Sequence, residues 1–207
     1  MITLALDTST DKGSVAAVED GRTIFSEQFA AQRSHGSGLF GSLERVRKLF
    51  HQPDQIAVGI GPGSYSGTRV AIASAIGLQI ATGARLVGIP SVAAMDTEWR
   101  SYLAIGDARR ETFYFAHVEN GNCVEGPRLL TRAELEQKLR DNASLPVFSS
   151  TPIGFVVALQ VSFPSAERLA RLAQQGRGVH ATENLEPIYL REPHITQAKK
   201  VEDLPRR

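Results

Sequence analysis

The chain has 207 residues, 42% of them apolar, and 23 basic residues against 22 acidic ones leave a net charge of +1. That is enough apolar material for one large domain or two small ones; it excludes a disordered chain and the strongly basic surface of a dedicated nucleic-acid binder. The single cysteine, Cys123, rules out an internal disulfide and a cysteine-based zinc site. The opening Met-Ile-Thr-Leu-Ala-Leu-Asp has no signal-peptide pattern, and the uncharged stretch Val70 to Ala84 is too short to span a membrane. The expected location is the cytoplasm, with no membrane partner.

Ile2 to Asp7 is an apolar run that ends in the polar cluster Thr8 to Gly13. Ser14 to Glu19 is again small and apolar, Asp20-Gly21 marks a tight hairpin, and Arg22 to Phe29 alternates as a third strand. From Gly36 the period changes to that of a helix running to Phe50. Leu39, Leu43, Val46 and Phe50 share one side of it, with Glu44, Arg45, Arg47 and Lys48 on the other. Ile56 to Ile60 reads as a buried strand that runs into Gly61-Pro62-Gly63-Ser64-Tyr65-Ser66-Gly67 and then a helix from Thr68 to Gly83. Ile72, Ile76 and Ile80 form a bulky stripe on that helix, and Ser74, Gly77 and Ala81 a narrow one. Both sides are expected to be covered, one by the sheet and the other by the Gly36–Phe50 helix or by a partner protein. Leu86 to Ile89 completes the strands of this half, and Ser91 to Trp99 is expected to be helical.

Tyr102 to Asp107 reopens the pattern. At an ungapped offset of one hundred residues, Asp7 meets Asp107, Ala16 Ala116, Val18 Val118, Glu19 Glu119 and Gly21 Gly121. The match spans strand, turn, strand and hairpin, and reads as a duplicated unit. A helix from Thr131 to Arg140, a strand from Leu145 to Ser149 and a helix from Ser165 to Gly176 follow; residues 150–164 resist assignment. Leu185 to Arg191 reads as an extended segment packed on the body. The expected organisation is residues 1–100, residues 101–193 and a disordered tail over 194–207.

The glycine loop suits phosphate, because free amides and a helix N-terminus attract anions. Its G-x-G-x-x-x-G spacing is neither the dinucleotide fingerprint nor a P-loop, and a tight strand-to-helix turn capped by Ser66 or Thr68 explains it equally well. Asp7 and Asp107, ending corresponding strands, could face each other across a cleft and hold a metal-nucleotide, or simply bond the amides of their own turns. A two-metal nuclease would need an acid after the Ile56–Ile60 strand, where the chain has Gly61-Pro62-Gly63. The histidines, His35, His51, His117, His180 and His194, show no H-x-x-x-H or H-E-x-x-H spacing, and no hydrolase elbow surrounds Ser64 or Ser66. No metal site and no catalytic set emerges.

Asp7-Thr8-Ser9-Thr10, Arg33-Ser34-His35, the loop Gly61 to Gly67 with Thr68-Arg69, Asp107-Ala108-Arg109 and Glu186-Pro187-Ile188-Tyr189-Leu190-Arg191 together resemble the TsaB (YeaZ) family. These motifs occur in the family's order over most of the chain. The resemblance implies an α/β actin-like ATPase (ASKHA) fold of two ribonuclease-H-like units, with mixed sheets flanked by helices. It implies a non-catalytic subunit that dimerises with a TsaD-type catalytic paralogue and works with a TsaE-type ATPase. Together they would install threonylcarbamoyl on the tRNA adenosine beside the anticodon. By the same resemblance the chain self-pairs when alone; its near-neutral charge points to tRNA affinity that comes mainly from partners, and no cofactor is expected for this chain, with ATP or ADP left open at a shared subunit interface. The partner surface would comprise Leu39, Leu43, Val46, Arg69, Ala73, Gly77 and Ile80. Asp7, Gly61, Gly63, Ser64, Gly67 and Asp107 would form a vestigial phosphate-binding or structural loop. The sequence departs from the family in the glycine-rich start of the first helix, Gly36 to Gly41, and in an abbreviated stretch from Leu145 to Ser165. The competing reading is a small ATP-dependent phosphotransferase of the actin-like class, built on Asp7, Asp107 and the glycine loop.

Overall fold

The computed structural model describes residues 1–31, 35–180 and 185–191; Arg33, Ser34 and the expected tail from 194 lie outside them. β1 (Ile2–Asp7), β2 (Lys12–Glu19) and β3 (Arg22–Ala30) form an antiparallel meander. α1 (His35–Val46) leads to β4 (Gln55–Gly59), which lies parallel to β1, and α2 (Tyr65–Thr82) leads to β5 (Arg85–Ile89), parallel to β4. The second half repeats the order with β6 (Ser101–Asp107), β7 (Thr112–Glu119), β8 (Asn122–Thr131), α3 (Arg132–Asp141), β9 (Val147–Ser149) and β10 (Leu159–Val161). The sheets run β5-β4-β1-β2-β3 and β10-β9-β6-β7-β8, the same topology twice. Both meanders turn on equivalent dipeptides. Asp20-Gly21 and Asn120-Gly121 adopt left-handed backbone at both positions, the twist that tight hairpins require.

The repeat contains one slip within the ungapped offset of one hundred residues. Glu19 pairs with Ile2 and Glu119 with Ser101, while Ser14 pairs with Asp7 and Tyr114 with Gly106. The strand position of Asp7 is therefore taken by Gly106, and the β6–β7 turn is one residue longer than the β1–β2 turn. Because side chains alternate along a strand, Asp107 shares the face of Leu103 and Ile105, whereas Asp7 shares that of Ala5. The second unit also lacks a counterpart of α2: residues 150–158 join β9 to β10 without a helix.

The C-terminal part of the chain closes the first sheet. α4 (Ala166–Gln174) lays Ala166, Leu169, Ala170 and Ala173 into a core shared with Ala5, Ala16 and Ala57 of the first sheet and Tyr102, Ala104 and Phe148 of the second. Alanines on both surfaces bring helix and sheet close together. β11 (Val179–His180) then adds antiparallel to β5. The expected division at residue 100 is thus corrected: α4 and β11 come from the second stretch but complete the first unit. A second core lies between the outer face of the first sheet and α1 and α2, and a third lies beneath α3. The expected Ser91–Trp99 helix is only a 3-10 turn, Ser91–Ala94. Past it, Met95 bridges to Pro164 and the Asp96 amide donates to the Phe163 carbonyl at 2.9 Å, holding the chain extended.

Candidate functional site

The end of β1 and the glycine loop pack directly against each other. Thr8 Oγ1 donates to the Gly67 carbonyl at 2.7 Å, and the Ser64 amide donates to the Ser9 carbonyl at 2.6 Å. A Cβ at Gly63 or Gly67 would collide with the Ser9 or Thr8 carbonyl oxygen, so glycine is required there by the approach of two backbones. The Gly61 amide donates to Ser91 Oγ at 2.9 Å, and Ser64 Oγ accepts from the Gly67 amide at 3.2 Å. Ser64, rather than Ser66 or Thr68, is the cap of α2. These three amides serve the protein's own oxygens, as in a tight strand-to-helix turn.

Asp7 is fully buried beneath this turn. Its Oδ1 accepts from the Ser9 amide and hydroxyl, both at 2.7 Å, while Oδ2 has no hydrogen-bond partner meeting normal geometry among the described residues. Burial raises its pKa above the ordinary 3.8; the Ser91 and Ser9 hydroxyls and the Ser9 amide oppose that shift. Asp107 is half-exposed and closes its own turn, accepting from the Arg109 amide at 2.7 Å. The two aspartates do not form a pair across the cleft: one is sealed inside the first unit and the other belongs to the opposite strand face of the second.

A cleft of about 780 Å³ opens between the units, lined among others by Ser9, Ser64, Tyr65, Asp107, Arg109 and Tyr189. The Leu185–Arg191 segment straps it. The Ile188 amide donates to the Ile60 carbonyl at 2.8 Å, Tyr189 lies 5.4 Å from Tyr65 between ring centroids, and Arg191 donates to Thr112 Oγ1 and the Arg109 carbonyl. Arg69 Nη1 donates to the Tyr65 hydroxyl at 2.8 Å, and its guanidinium lies 5.1 Å from the centroid of the same ring. The sequence motif at 186–191 signalled this strap, but Ser91, which holds Gly61, stood outside every motif.

The sites expected on the two helices separate sharply. Leu39 and Val46 are buried, and Leu43 is partly buried, all in the core under α1. They hold the helix to its own sheet, which corrects their assignment to a partner surface. On α2, Gly67, Thr68, Ala71, Ile72 and Ala75 face inward, whereas Arg69, Ala73, Gly77 and Ile80 are exposed. Ile80 is 80% exposed and the Gly77 Cα has no atom within contact of a Cβ built on it. Ile80 thus leaves the bulky stripe expected to be covered, and one face of α2 is open. On α1 the apolar side chain that reaches solvent is Phe40, 58% exposed.

Among the described residues no group of three or more His, Cys, Asp or Glu could hold a metal ion. Ser101, His117 and Glu119 lie together, but Ser101 Oγ and Glu119 Oε1 both approach Nε2 of the ring, at 3.3 and 3.4 Å. A relay needs the two groups on different nitrogens. No helix of the described residues is long and apolar enough to cross a membrane.

Two ribonuclease-H-like units joined through a shared core around a cleft define an actin-like ATPase fold, here with the acid at the end of the first strand sealed from the cleft. Residues 32–138 match the family model described as TsaD, tRNA N6-adenosine threonylcarbamoyltransferase. The chain is 27% identical to the tRNA threonylcarbamoyladenosine biosynthesis protein TsaB of Haemophilus influenzae, across 91% of this chain and 92% of that protein. It is 28% identical to TsaB of Escherichia coli K12, across 91% and 94%. The crystal structure of YeaZ from Pseudomonas aeruginosa superposes with a TM-score of 0.71 at 25% identity, covering 91% of this chain and 99% of that one. The chain belongs to the TsaD family, on its TsaB (YeaZ) branch.

Proposed function

We propose that the chain takes part in tRNA threonylcarbamoyladenosine biosynthesis as a non-catalytic subunit that activates a TsaD-type catalytic paralogue by pairing with it through α2. The observation that carries this reading is the open α2 face, where Arg69, Ala73, Gly77 and Ile80 stand exposed in helical register. Small residues at 73 and 77 let a second helix approach closely, and Ile80 supplies apolar area that is stabilised only when covered. In this reading Phe40, exposed on α1, takes the part expected of Leu39, Leu43 and Val46. In the absence of the catalytic partner the same face supports a homodimer. A TsaE-type ATPase completes the machinery, any ATP or ADP sits at a shared interface rather than in this chain alone, and tRNA is held mainly by the partners. Burial of Asp7 and the closed glycine loop speak against the phosphotransferase reading.

The test is a reconstitution of tRNA, catalytic partner and accessory ATPase with preformed threonylcarbamoyl-adenylate and ATP, with and without this chain, reading modified nucleoside. Product that depends on the chain and survives Asp7→Asn supports the reading. Product formed equally well without the chain overturns it. Magnesium-dependent heat with ATP from the isolated chain, abolished by Asp7→Asn, would establish the phosphotransferase instead.

A further inference from the structure

A second groove of about 780 Å³ lies away from the cleft strap, at the junction of the two units. It is lined by α4, by the 96–100 link, by the β7–β8 hairpin and by Ser26 and Gln28 of β3. Four arginines line it: Arg100, Arg168, Arg171 and Arg177. Arg171 is committed, donating to Glu167 at 2.9 Å and to the Gly21 carbonyl and Thr23 of the β2–β3 hairpin. Arg100, Arg168 and Arg177 make no ion pair within 4 Å of any described carboxylate, although the charge of Arg168 is felt by Glu167, and Asp96 and Glu98 also line the groove. At its rim stands Trp99, 56% exposed and the only tryptophan of the chain.

The backbone beneath these side chains is fixed. The Trp99 amide donates to Thr97 Oγ1 at 3.2 Å, and the Asn120 amide donates to the Arg100 carbonyl at 2.6 Å. An exposed indole gains little in water, and a guanidinium not held in an ion pair keeps its donors available for phosphate. An aromatic platform beside several free arginines is the combination that binds single-stranded nucleic acid, bases stacking on the ring while the cations follow the backbone.

We propose that this groove is a contact for single-stranded RNA, with Trp99 stacking a base and Arg100, Arg168 and Arg177 meeting phosphates. The assignment of RNA rests on the proposed role in tRNA modification, and it gives this subunit one weak contact of its own beside those of its partners. The three carboxylates that share the groove, Asp96, Glu98 and Glu167, offset much of its positive charge, so a weak contact is expected.

The experiment is a titration of the full chain with a mixed-sequence single-stranded RNA of about twelve nucleotides. Trp99 emission and the anisotropy of an end-labelled oligonucleotide are both read. Saturable quenching is expected, with a log–log salt slope of about −2 for three phosphate contacts. Arg168→Ala with Arg177→Ala should flatten that slope to about −0.7. Trp99→Ala, read by anisotropy, should weaken binding about tenfold while keeping the slope, and Glu98→Gln should tighten binding. Absence of quenching and of anisotropy change at 50 mM salt overturns the proposal. So does an unchanged slope in the arginine variant, or equal binding of tripolyphosphate or an oligoglutamate peptide, which would make the groove a general anion or acidic-peptide site. Because no partner protein is present, failure here leaves the pairing reading intact, whereas saturable binding beside a failed reconstitution would leave an RNA contact without the tRNA-modifying role.

Discussion

The carboxamide of Gln174 donates to the Val18 carbonyl at 2.9 Å, tying the last long helix to the first sheet across most of the chain. The same side chain reaches the Thr3 hydroxyl at 3.2 Å and the Met1 carbonyl at 3.3 Å, and it accepts from the Gly21 amide at 3.0 Å. One residue thereby serves four backbone or side-chain groups of the first unit. Gln174→Ala should lower unfolding stability by about 1–3 kcal/mol, because the groups it leaves unpaired are partly desolvated. Urea denaturation with an unchanged m-value and a lowered midpoint is the expected result; an unchanged midpoint would show that water replaces the carboxamide without penalty.

Gly77→Leu separates folding from association. A Cβ at this position meets nothing, so leucine fits the monomer, and replacing a helical glycine favours the helix by up to about 0.8 kcal/mol. The variant should melt a few degrees higher while its self-association, and its affinity for the catalytic partner, fall at least about tenfold through overpacking of the helix contact. Sedimentation together with thermal melts checks both halves. Undiminished association would remove α2 as the pairing surface.

Asp7 gives the stability curve a specific sign. A carboxyl whose folded pKa lies above its unfolded one contributes its full stabilisation below the unfolded value, and that contribution is lost as pH rises through the folded value. Asparagine at 7 keeps an acceptor for Ser9 and offers an N–H toward Ser91. The difference in stability between Asp7→Asn and the unsubstituted chain should therefore grow in favour of the variant from about pH 4 upward and then level off. Melts of both proteins across pH 4–8 read it, and a difference flat in pH would contradict the raised pKa.

Cys123 should be chemically quiet. Burial pushes its thiol up to about 11, so the thiolate fraction at pH 8 is smaller than that of a free cysteine by about a hundredfold. Labelling with a disulfide reagent should be slow in the native protein and fast in urea. Equal rates would mean that the β7–β8 hairpin opens readily.

The strands and hairpins were legible because their signals are local. Asp20-Gly21 and Asn120-Gly121 each demand a backbone that few other dipeptides adopt, and they marked the duplication at the correct spacing. The extra residue in the β6–β7 turn left no such mark. Arg109, Arg110 and Glu111 take left-handed backbone without a glycine to announce it, and so Asp107 was aligned with Asp7 although Gly106 holds its place. On the helices, periodicity separated apolar from polar residues but could not tell which apolar stripe the protein covers itself. Leu39 and Ile80 look alike in sequence, yet one is wholly buried and the other is 80% exposed. The position of α4 was invisible for a related reason: an alanine-rich face fits either sheet, and only the small Ala5, Ala16 and Ala57 opposite decide which.

The missing helix between β9 and β10 fixes how far assembly can proceed. Had the duplication kept a second α2, each chain would display two equivalent docking helices, and subunits joined through both would add end to end without limit. With residues 150–158 reduced to a connector, the second unit offers no such helix; under the proposed pairing through α2, one pair of like subunits or of paralogues consumes that face and stops growth through it. Under that proposal homodimer and heterodimer compete for one face, and the concentration of the catalytic paralogue sets how much of the subunit is released from self-pairing.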